Sequence, residues 1–331
     1  MYDEETRRSA APCAVVVLDV GGTKIAGGLA VYEGAEPGTR AMPFVVGRRR
    51  VPTDAARGGE AVLASIVEMV GGLLCDAPAC AGGLPVVGVG VSTAGNVCEA
   101  DGSISSANSL MPGWTGQPVG ETIERSWGLP VAVMNDVRAH ALGELRHGAA
   151  AGCRSCIVAA VGTGLGGALI TEGRVLDGAH GLAGQFGRAL HPAAVGVPSA
   201  WGTQGFLEGV ASGSGIETCY RLGGGEALCG AEICRRAEAG EELALRVMRQ
   251  AGSSLGEALA SLSDMLDPDL VVVSGSVCDS GDVWARAFDE AFRARLAPEL
   301  AGLRVVKAAL GSDAPLVGAA ERLLDRIELR G

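Results

Sequence analysis

Two glycine-rich turns flanked by polar residues are the segments of this chain best suited to chemistry. The first turn, Asp19 to Lys24, reads DVGGTK and follows the apolar run 13–18. Consecutive glycines let backbone N–H groups converge on an anion, and phosphate is the expected one. The Asp19 carboxylate would hold magnesium near that phosphate, while Thr23 and Lys24 would add a hydroxyl and a cation. Taken alone, the segment is equally compatible with a tight hairpin turn.

A second turn of the same kind follows the apolar run 156–161. It reads GTGLGG over 162–167 and leads into another apolar run. The glycine spacing satisfies the dinucleotide-binding fingerprint, but that fingerprint needs a helix after the glycines, so a Rossmann site is not predicted. The repeated pattern instead predicts two related domains that face each other across a cleft, each with one phosphate-binding turn.

Composition favours a small-molecule enzyme. The chain has 331 residues, of which 48% are hydrophobic, enough for two hydrophobic cores. The formal net charge of −11 opposes binding to nucleic acid. Residues 1–12 lack the apolar core of a signal peptide, and no later segment offers a membrane-length run free of polar interruption. We therefore expect a cytoplasmic protein without membrane or nucleic-acid partners.

The ten cysteines lie mostly within apolar segments, which predicts buried, reduced thiols. Cys153 and Cys156 have the spacing of a metal-binding pair. No second pair or histidine cluster follows at a suitable distance, so structural thiols are expected rather than metal or redox chemistry.

The order of the predicted elements determines the expected fold. Apolar residues at helical spacing predict an amphipathic helix over 59–75 and a long helix over 241–266. The duplicated order of strands, glycine turns and helices predicts an α/β fold of the actin-like ATPase (ribonuclease H-like) type. We expect an N-terminal tail over 1–12, a smaller domain formed by 13–134 plus 315–331, and a larger domain over 135–314. The polar loop 92–114 is long enough to be functional.

Asp136 is the candidate for acid–base chemistry. It follows the predicted strand 130–134 and precedes a helical segment, a position that suits both a helix N-cap and a general base. A helix N-terminus favours the ionised carboxylate and would lower its basicity. Phosphoryl transfer tolerates this, because it needs orientation and late proton acceptance more than a strong base.

Four segments in order, 19–24, 135–139, 161–167 and 205–208, resemble the ROK family, named for repressors, open reading frames and sugar kinases. The resemblance extends from about residue 13 to the C-terminus. It implies ATP- and Mg²⁺-dependent phosphorylation of a hexose or N-acylhexosamine hydroxyl, with Asp136 as catalytic base. It also implies a homodimer through the second domain.

The resemblance assigns binding roles residue by residue. Magnesium would lie near Asp19 without necessarily being bound by it directly. The residues assigned to ATP are Asp19, Gly21, Gly22, Thr23, Lys24, Gly162, Thr163, Gly164 and Gly275. The segment 273–276 matches the family's adenosine-side glycine motif except that Ser276 replaces the second glycine. The residues at the positions assigned to the sugar are Asn108, Asn135, Asp136, Gln185, Arg188 and Glu208.

The sequence departs from the family at its zinc motif. The aligned positions are Arg188, Ser199, Trp201 and Phe206, none of which is a zinc ligand, so no structural zinc is expected. Trp201 and Phe206 would fill the space as an apolar cluster. Gln185 and Arg188 also replace a sugar-contacting Glu and His, which predicts a different pattern of recognised hydroxyls. Arg188 would either contact a substrate oxygen or turn outward and pair with Glu208.

Several functional alternatives remain at this point. Glucose is the default acceptor, and N-acetylmannosamine is nearly as well supported because the zinc motif and pocket are changed. A ROK repressor would need a helix-turn-helix before the first strand, where only about a dozen residues precede Cys13. A sugar-binding protein without catalysis is a further alternative. Retention of Asp19, both glycine turns and Asp136 argues against it.

Overall fold

The computed structural model describes residues 11–34 and 40–328. The predicted tail lies, except for residues 11 and 12, outside the described residues, as does the predicted end of the last helix at Leu329. The strands are β1 (Cys13–Val20), β2 (Lys24–Tyr32), β3 (Phe44–Pro52), β4 (Val86–Thr93), β5 (Asn96–Val97), β6 (Ile104–Ser106), β7 (Val131–Asn135), β8 (Cys156–Val161), β9 (Leu165–Thr171), β10 (Arg174–Val175), β11 (Leu270–Ser274) and β12 (Val305–Lys307). The α-helices are α1 (Gly59–Cys80), α2 (Val119–Trp127), α3 (Asp136–His147), α4 (Glu208–Ala211), α5 (Gly213–Leu222), α6 (Gly230–Glu238), α7 (Glu242–Leu266), α8 (Asp282–Arg295) and α9 (Ala314–Glu328).

The chain forms two compact units. Of the described residues, the first unit contains those up to 151, together with Asp177–Gly181 and the chain from 310 onward. The second contains Gly152–Leu176 and Leu182–Ala309. This division differs from the predicted domains at α3, which belongs to the first unit because it packs along α9.

The first unit is built on a five-stranded sheet in the order β3-β2-β1-β4-β7. Strands β1 and β2 are antiparallel, while β4 and β7 continue the sheet in parallel with β1. β1 is apolar along its length because its alternate side chains enter two cores. Val16 and Leu18 lie in a cluster with Ile66 of α1, whereas Val17 lies in a cluster with Leu323 of α9.

The second unit repeats this plan with the sheet order β10-β9-β8-β11-β12. An antiparallel hairpin, β8–β9, is again followed by parallel strands, β11 and β12. Both glycine turns therefore join the two strands of equivalent hairpins. The predicted duplicated α/β arrangement is confirmed within each unit.

Helix α1 is long and apolar enough to cross a membrane by length and composition. Charged residues such as Glu68 interrupt it, so the expectation that no run of this length is free of polar interruption holds. The same test is passed by core helices of soluble proteins. Ile66, Val70 and Leu73 of α1 are fully buried in the core of the first unit, as a core helix requires.

The cysteines are less buried than their apolar surroundings predict. Cys13, Cys156 and Cys278 are buried, in agreement with the expectation. The expectation is wrong for Cys75 and Cys80 near the end of α1 and for Cys229 before α6, all of which are exposed.

Candidate functional site

The first glycine turn is a tight connection between β1 and β2. The Gly21 N–H donates to the Lys24 carbonyl at 3.0 Å. Thr53, which follows β3, braces the turn from outside: its hydroxyl donates to the Gly21 carbonyl at 2.6 Å and its N–H to the Thr23 carbonyl at 3.1 Å. The segment is thus a tight hairpin turn. Because these hydrogen bonds fix its conformation, the hairpin interpretation is compatible with phosphate binding by its backbone N–H groups.

Asp19 lies at the carboxyl end of β1, directly beside Ser92 of β4 in the sheet register. The Ser92 hydroxyl donates to Asp19 Oδ1 at 2.8 Å. Burial raises the pKa of Asp19, while the hydrogen bond from Ser92 and the charge of Lys24 lower it. In the register of β4 and β7, Thr93 pairs with Asn135. The ends of three parallel strands thus bring Asp19, Ser92 and Asn135 to one edge of the first unit's sheet.

Asn135, and not Asp136, is the N-cap of α3. The Asn135 Oδ1 accepts from the N–H groups of Val137 and Arg138 at 3.1 and 3.2 Å, and its Nδ2 donates to Asp136 Oδ1 at 2.8 Å. The N-cap role that the sequence allowed for Asp136 is wrong, because α3 already begins at Asp136 and Asn135, the last residue of β7, takes the cap position. Asp136 is left as the first helical residue, and its Oδ1 accepts from the Val137 N–H at 2.9 Å.

The pKa of Asp136 is raised to about 7. Burial is the largest cause and the negative charge of Asp19 is the next, whereas the Val137 N–H and the Asn135 amide act in the opposite direction. The expectation of lowered basicity is therefore wrong in direction, because burial and a neighbouring carboxylate outweigh the helix terminus. A carboxylate with a pKa near neutrality suits a general base.

Asn108 lies in the long loop between β6 and α2. Its Oδ1 accepts from the Leu110 N–H at 3.1 Å, and its carbonyl accepts from the Met111 N–H at 3.1 Å. The loop is anchored by Trp114, which is fully buried and donates its indole N–H to the Ala94 carbonyl at 3.1 Å. The Leu110 carbonyl lies 3.7 Å from the Cβ position of Gly22, so this turn packs beside the first glycine turn.

The second glycine turn is held by a helix that the sequence analysis missed. The Gly162 N–H donates to the Gly164 carbonyl at 3.0 Å. At the start of α5, the Gly213 N–H donates to the Gly162 carbonyl at 2.8 Å, and the Ser214 hydroxyl donates to the Thr163 carbonyl at 2.8 Å. The glycines and serines before α5 were a weak helix signal, although Ser212 is a good N-cap residue and accepts from the Gly215 N–H.

A cavity of about 290 Å³ opens beside this turn within the second unit. Gly162, Thr163 and Ser214 form a polar part of its lining, and Met248 and Val277 an apolar part. Gly275 lies at the end of β11 with φ +96°, and a Cβ there would stand 2.3 Å from the Val161 carbonyl oxygen. Only glycine fits this position without a backbone clash.

Glu208 begins α4 and is 5% exposed. Its Oε2 accepts from the Leu165 N–H at 3.1 Å, within the second glycine turn, while its buried Oε1 has no hydrogen-bond partner among the described residues. Burial raises the pKa of Glu208, and the N–H groups of Leu165 and Ala200 lower it. The free oxygen of a buried carboxylate is suited to accept a hydrogen bond from a bound ligand.

Arg188 is held by aromatic rings. Its Cζ lies 5.0 Å from the centroid of the Trp201 ring and 5.7 Å from that of the Phe206 ring. The predicted pairing of Arg188 with Glu208 is not among the ion pairs of the described residues. Trp201 and Phe206, which were expected to form an apolar cluster, both contact the Arg188 guanidinium. Gln185 precedes the short 3₁₀ helix Phe186–Arg188, and its carbonyl accepts from the Arg188 N–H at 3.1 Å.

The donor groups of the first unit fit an indirectly held magnesium ion. Within residues 11–34 and 40–328, no cluster of three His, Cys, Asp or Glu side chains is arranged to hold a metal. Asp19 offers carboxylate oxygens at a partly buried site, and magnesium commonly binds through one or two carboxylates, water and substrate phosphates.

Comparison with known proteins places the chain among sugar kinases by similarity. The model of the ROK family matches residues 15–326. A glucokinase of Halalkalibacterium halodurans is 29% identical over 318 residues, covering 92% of each chain. A ROK hexokinase from Thermus thermophilus has a similar structure, with a TM-score of 0.78, 31% identity and coverage of 95% of this chain and 99% of that one.

A Streptomyces griseus ROK glucokinase, solved with glucose and AMPPNP, gives a TM-score of 0.71 at 30% identity. The structural alignment covers 93% of this chain and 98% of the Streptomyces griseus chain.

Proposed function

The chain belongs to the ROK family, and from that premise we propose that it is an ATP-dependent sugar kinase. The reaction is transfer of the γ-phosphoryl group to a hydroxyl of a hexose or an N-acylhexosamine. The observation that carries the proposal is Asp136, with a pKa of about 7, on the same sheet edge as Asp19. Proton acceptance and phosphate binding are the two tasks of such a site.

In the first unit, Asp136 accepts the proton of the attacking hydroxyl. Asn135 holds the carboxylate through one amide N–H and donates the other to the Gly95 carbonyl, while the Asn108 amide donates to other hydroxyls of the acceptor. Residues 21–24 bind phosphate oxygens beside Asp19. Magnesium, when bound near Asp19, would neutralise charge on the phosphates. In phosphoryl transfer through a loose transition state, the attacking hydroxyl loses its proton late, so an Asp with a pKa near neutrality is basic enough.

In the second unit, Gly162, Thr163 and Gly164 bind phosphate oxygens from a backbone fixed by α5. The cavity of about 290 Å³ receives the nucleoside, and Gly275, next to the lining residue Ser276, lets the end of β11 pack closely against Val161. The unpartnered Oε1 of Glu208 accepts from an acceptor hydroxyl, and the Gln185 amide can donate or accept. We propose no zinc for this chain, since its residues at the family's zinc positions are not zinc ligands.

The acceptor is proposed to be glucose, with N-acetylmannosamine as the alternative, because Gln185 changes the hydrogen-bonding pattern that a carboxylate would offer. A catalytically silent sugar-binding protein is the second functional candidate. Cytoplasmic location and a homodimer are also proposed; light scattering on the purified protein tests the dimer.

The test is ADP release from ATP and magnesium against a panel of hexoses and N-acetylhexosamines. Asp136→Asn removes the base while preserving size, and we expect kcat to fall by about 10²- to 10⁴-fold with acceptor binding retained. Asp101→Asn is the matched control, since Asp101 is exposed and the Asn side chain can also accept from the Ser103 N–H. Sugar binding without turnover in the wild type would favour the catalytically silent sugar-binding protein.

A further inference from the structure

Arg188 contacts two aromatic rings that come from the far end of its own loop. Trp201 and Phe206 are 13 and 18 residues away in sequence, yet both ring centroids lie within 5.7 Å of the guanidinium carbon. A guanidinium is weakly hydrated and is attracted to the negative face of a ring, so such contacts restrain an otherwise flexible side chain. We call Arg188, Trp201 and Phe206 the Arg188 cluster.

The Arg188 cluster lies where the two ends of this loop run side by side. The Leu207 N–H donates to the Ala189 carbonyl at 2.8 Å, and the His191 N–H donates to the Gly205 carbonyl at 3.0 Å. Farther out, the Ser199 hydroxyl donates to the Thr203 carbonyl at 2.8 Å. Backbone hydrogen bonds and the Arg188 cluster therefore close the loop 189–206 at its base.

The two ends of the loop continue into the second unit's candidate acceptor contacts. Gln185 precedes Arg188 by three residues, and its carbonyl accepts from the Arg188 N–H at 3.1 Å. Glu208 follows Phe206 by two residues and keeps one buried oxygen without a partner. Each of these two residues is therefore within three positions of a member of the Arg188 cluster.

We propose that Arg188 is a positioning residue, which acts through Trp201 and Phe206 to hold Gln185 and Glu208 in the geometry that binds the acceptor. The inference rests on the proposed sugar-kinase function and deepens it. Positioning predicts an effect on every acceptor alike, because the backbone of the site moves. Direct contact between Arg188 and a substrate oxygen predicts an effect that differs between acceptors with and without that oxygen.

The test compares Arg188→Met, Trp201→Leu and Arg188→Lys in the full chain. For the first two variants we expect the acceptor KM to rise by roughly threefold to tenfold for hexose and N-acetylhexosamine alike, from the loss of a cation–π contact. The ATP KM and kcat should stay within twofold of the wild type. Arg188→Lys keeps the cation but loses the planar group, so it should restore the KM in part.

Arg293→Met is the matched control. Arg293 also lies over a ring, with its Cζ 5.5 Å from the Phe292 centroid, but on α8 and away from the candidate acceptor residues. It should leave the acceptor KM unchanged. Hydrogen exchange over 189–206 gives a readout independent of activity, and it should accelerate in Arg188→Met and not in Arg293→Met.

Four outcomes would overturn the proposal. Unchanged hydrogen exchange in Arg188→Met would show that the cluster does not order the loop. A KM change confined to one class of acceptor would assign Arg188 to direct contact. If the wild type is active and the acceptor KM is unchanged in both Arg188→Met and Trp201→Leu, the positioning role is refuted but the sugar-kinase function is not. If the wild type is inactive with every acceptor, the sugar-kinase function is refuted as well.

Discussion

The two glycine turns lie on equivalent hairpins but have different surroundings. Beside the first turn are two carboxylates, Asp19 and Asp136. Burial, and next the negative charge of Asp19, raise the pKa of Asp136. Beside the second are Thr163, Ser214 and the start of α5, with the cavity of about 290 Å³. The proposed function therefore uses the same arrangement of strands for proton and charge chemistry in one unit and for nucleotide binding in the other.

The largest effect that separates the two turns is expected from Asp19→Asn. Loss of this carboxylate removes the group proposed to hold magnesium near the phosphates, and kcat should fall by about 10²-fold or more. The same change removes a negative charge that raises the pKa of Asp136. Steady-state kinetics at saturating ATP provide the measurement, and activity near that of the wild type would remove Asp19 from the site.

Gly275→Ala tests the second unit. An added Cβ would meet the Val161 carbonyl oxygen at 2.3 Å on a backbone with φ +96°, so the end of β11 must move. We expect the ATP KM to rise about tenfold and the free energy of unfolding to fall by about 1–3 kcal/mol. The acceptor KM should change little. A rise in the acceptor KM with an unchanged ATP KM would contradict the role proposed for Gly275 beside the nucleoside cavity.

A smaller effect on ATP is expected from Ser214→Ala. The variant removes the hydroxyl that donates to the Thr163 carbonyl at 2.8 Å but keeps the Ser214 N–H bond to the same oxygen. The ATP KM should rise about threefold to tenfold, as for the loss of one hydrogen bond of about 1 kcal/mol. Isothermal titration with a non-hydrolysable ATP analogue checks this, with Ser261→Ala on the exposed face of α7 as the control.

The smallest effect concerns the cap of α3. Asn135→Ala removes the acceptor for two helix N–H groups, and the free energy of unfolding should fall by about 1 kcal/mol in urea denaturation. Asn135→Ser keeps a capping oxygen and adds no charge beside Asp136, so it should retain most of this stability. Equal losses in both variants would show that capping is not the role of the Asn135 oxygen.

Sequence reasoning located the turns because glycine runs between apolar strands are local signals. The position of Gly275 just after β11 and that of Asp136 at the start of α3 were also predictable from short motifs. The pKa of Asp136 was not, because it depends on Asp19, more than 100 residues away in the chain. The helix α5 was missed because its glycines and serines carry little apolar periodicity, and its role depends on contacts with Gly162 and Thr163.

The loop around Arg188 shows a second kind of limit. Trp201 and Phe206 were predicted to lie together, but the cation between them was not, since cation–π contacts have no fixed spacing in sequence. The edge strand β3 was likewise missed because its exposed arginines hide the strand pattern.

The most direct test of the central claim is the pH dependence of kcat/KM for the acceptor in the wild type and in Asp19→Asn. Asp136 acts as a base only when ionised, so the wild-type value should fall as the pH drops through about 7. In Asp19→Asn this acid limb should move to lower pH, because the neighbouring negative charge is gone. An acid limb near pH 4 in the wild type, or one that does not move in the variant, would contradict the assignment of Asp136 as the base.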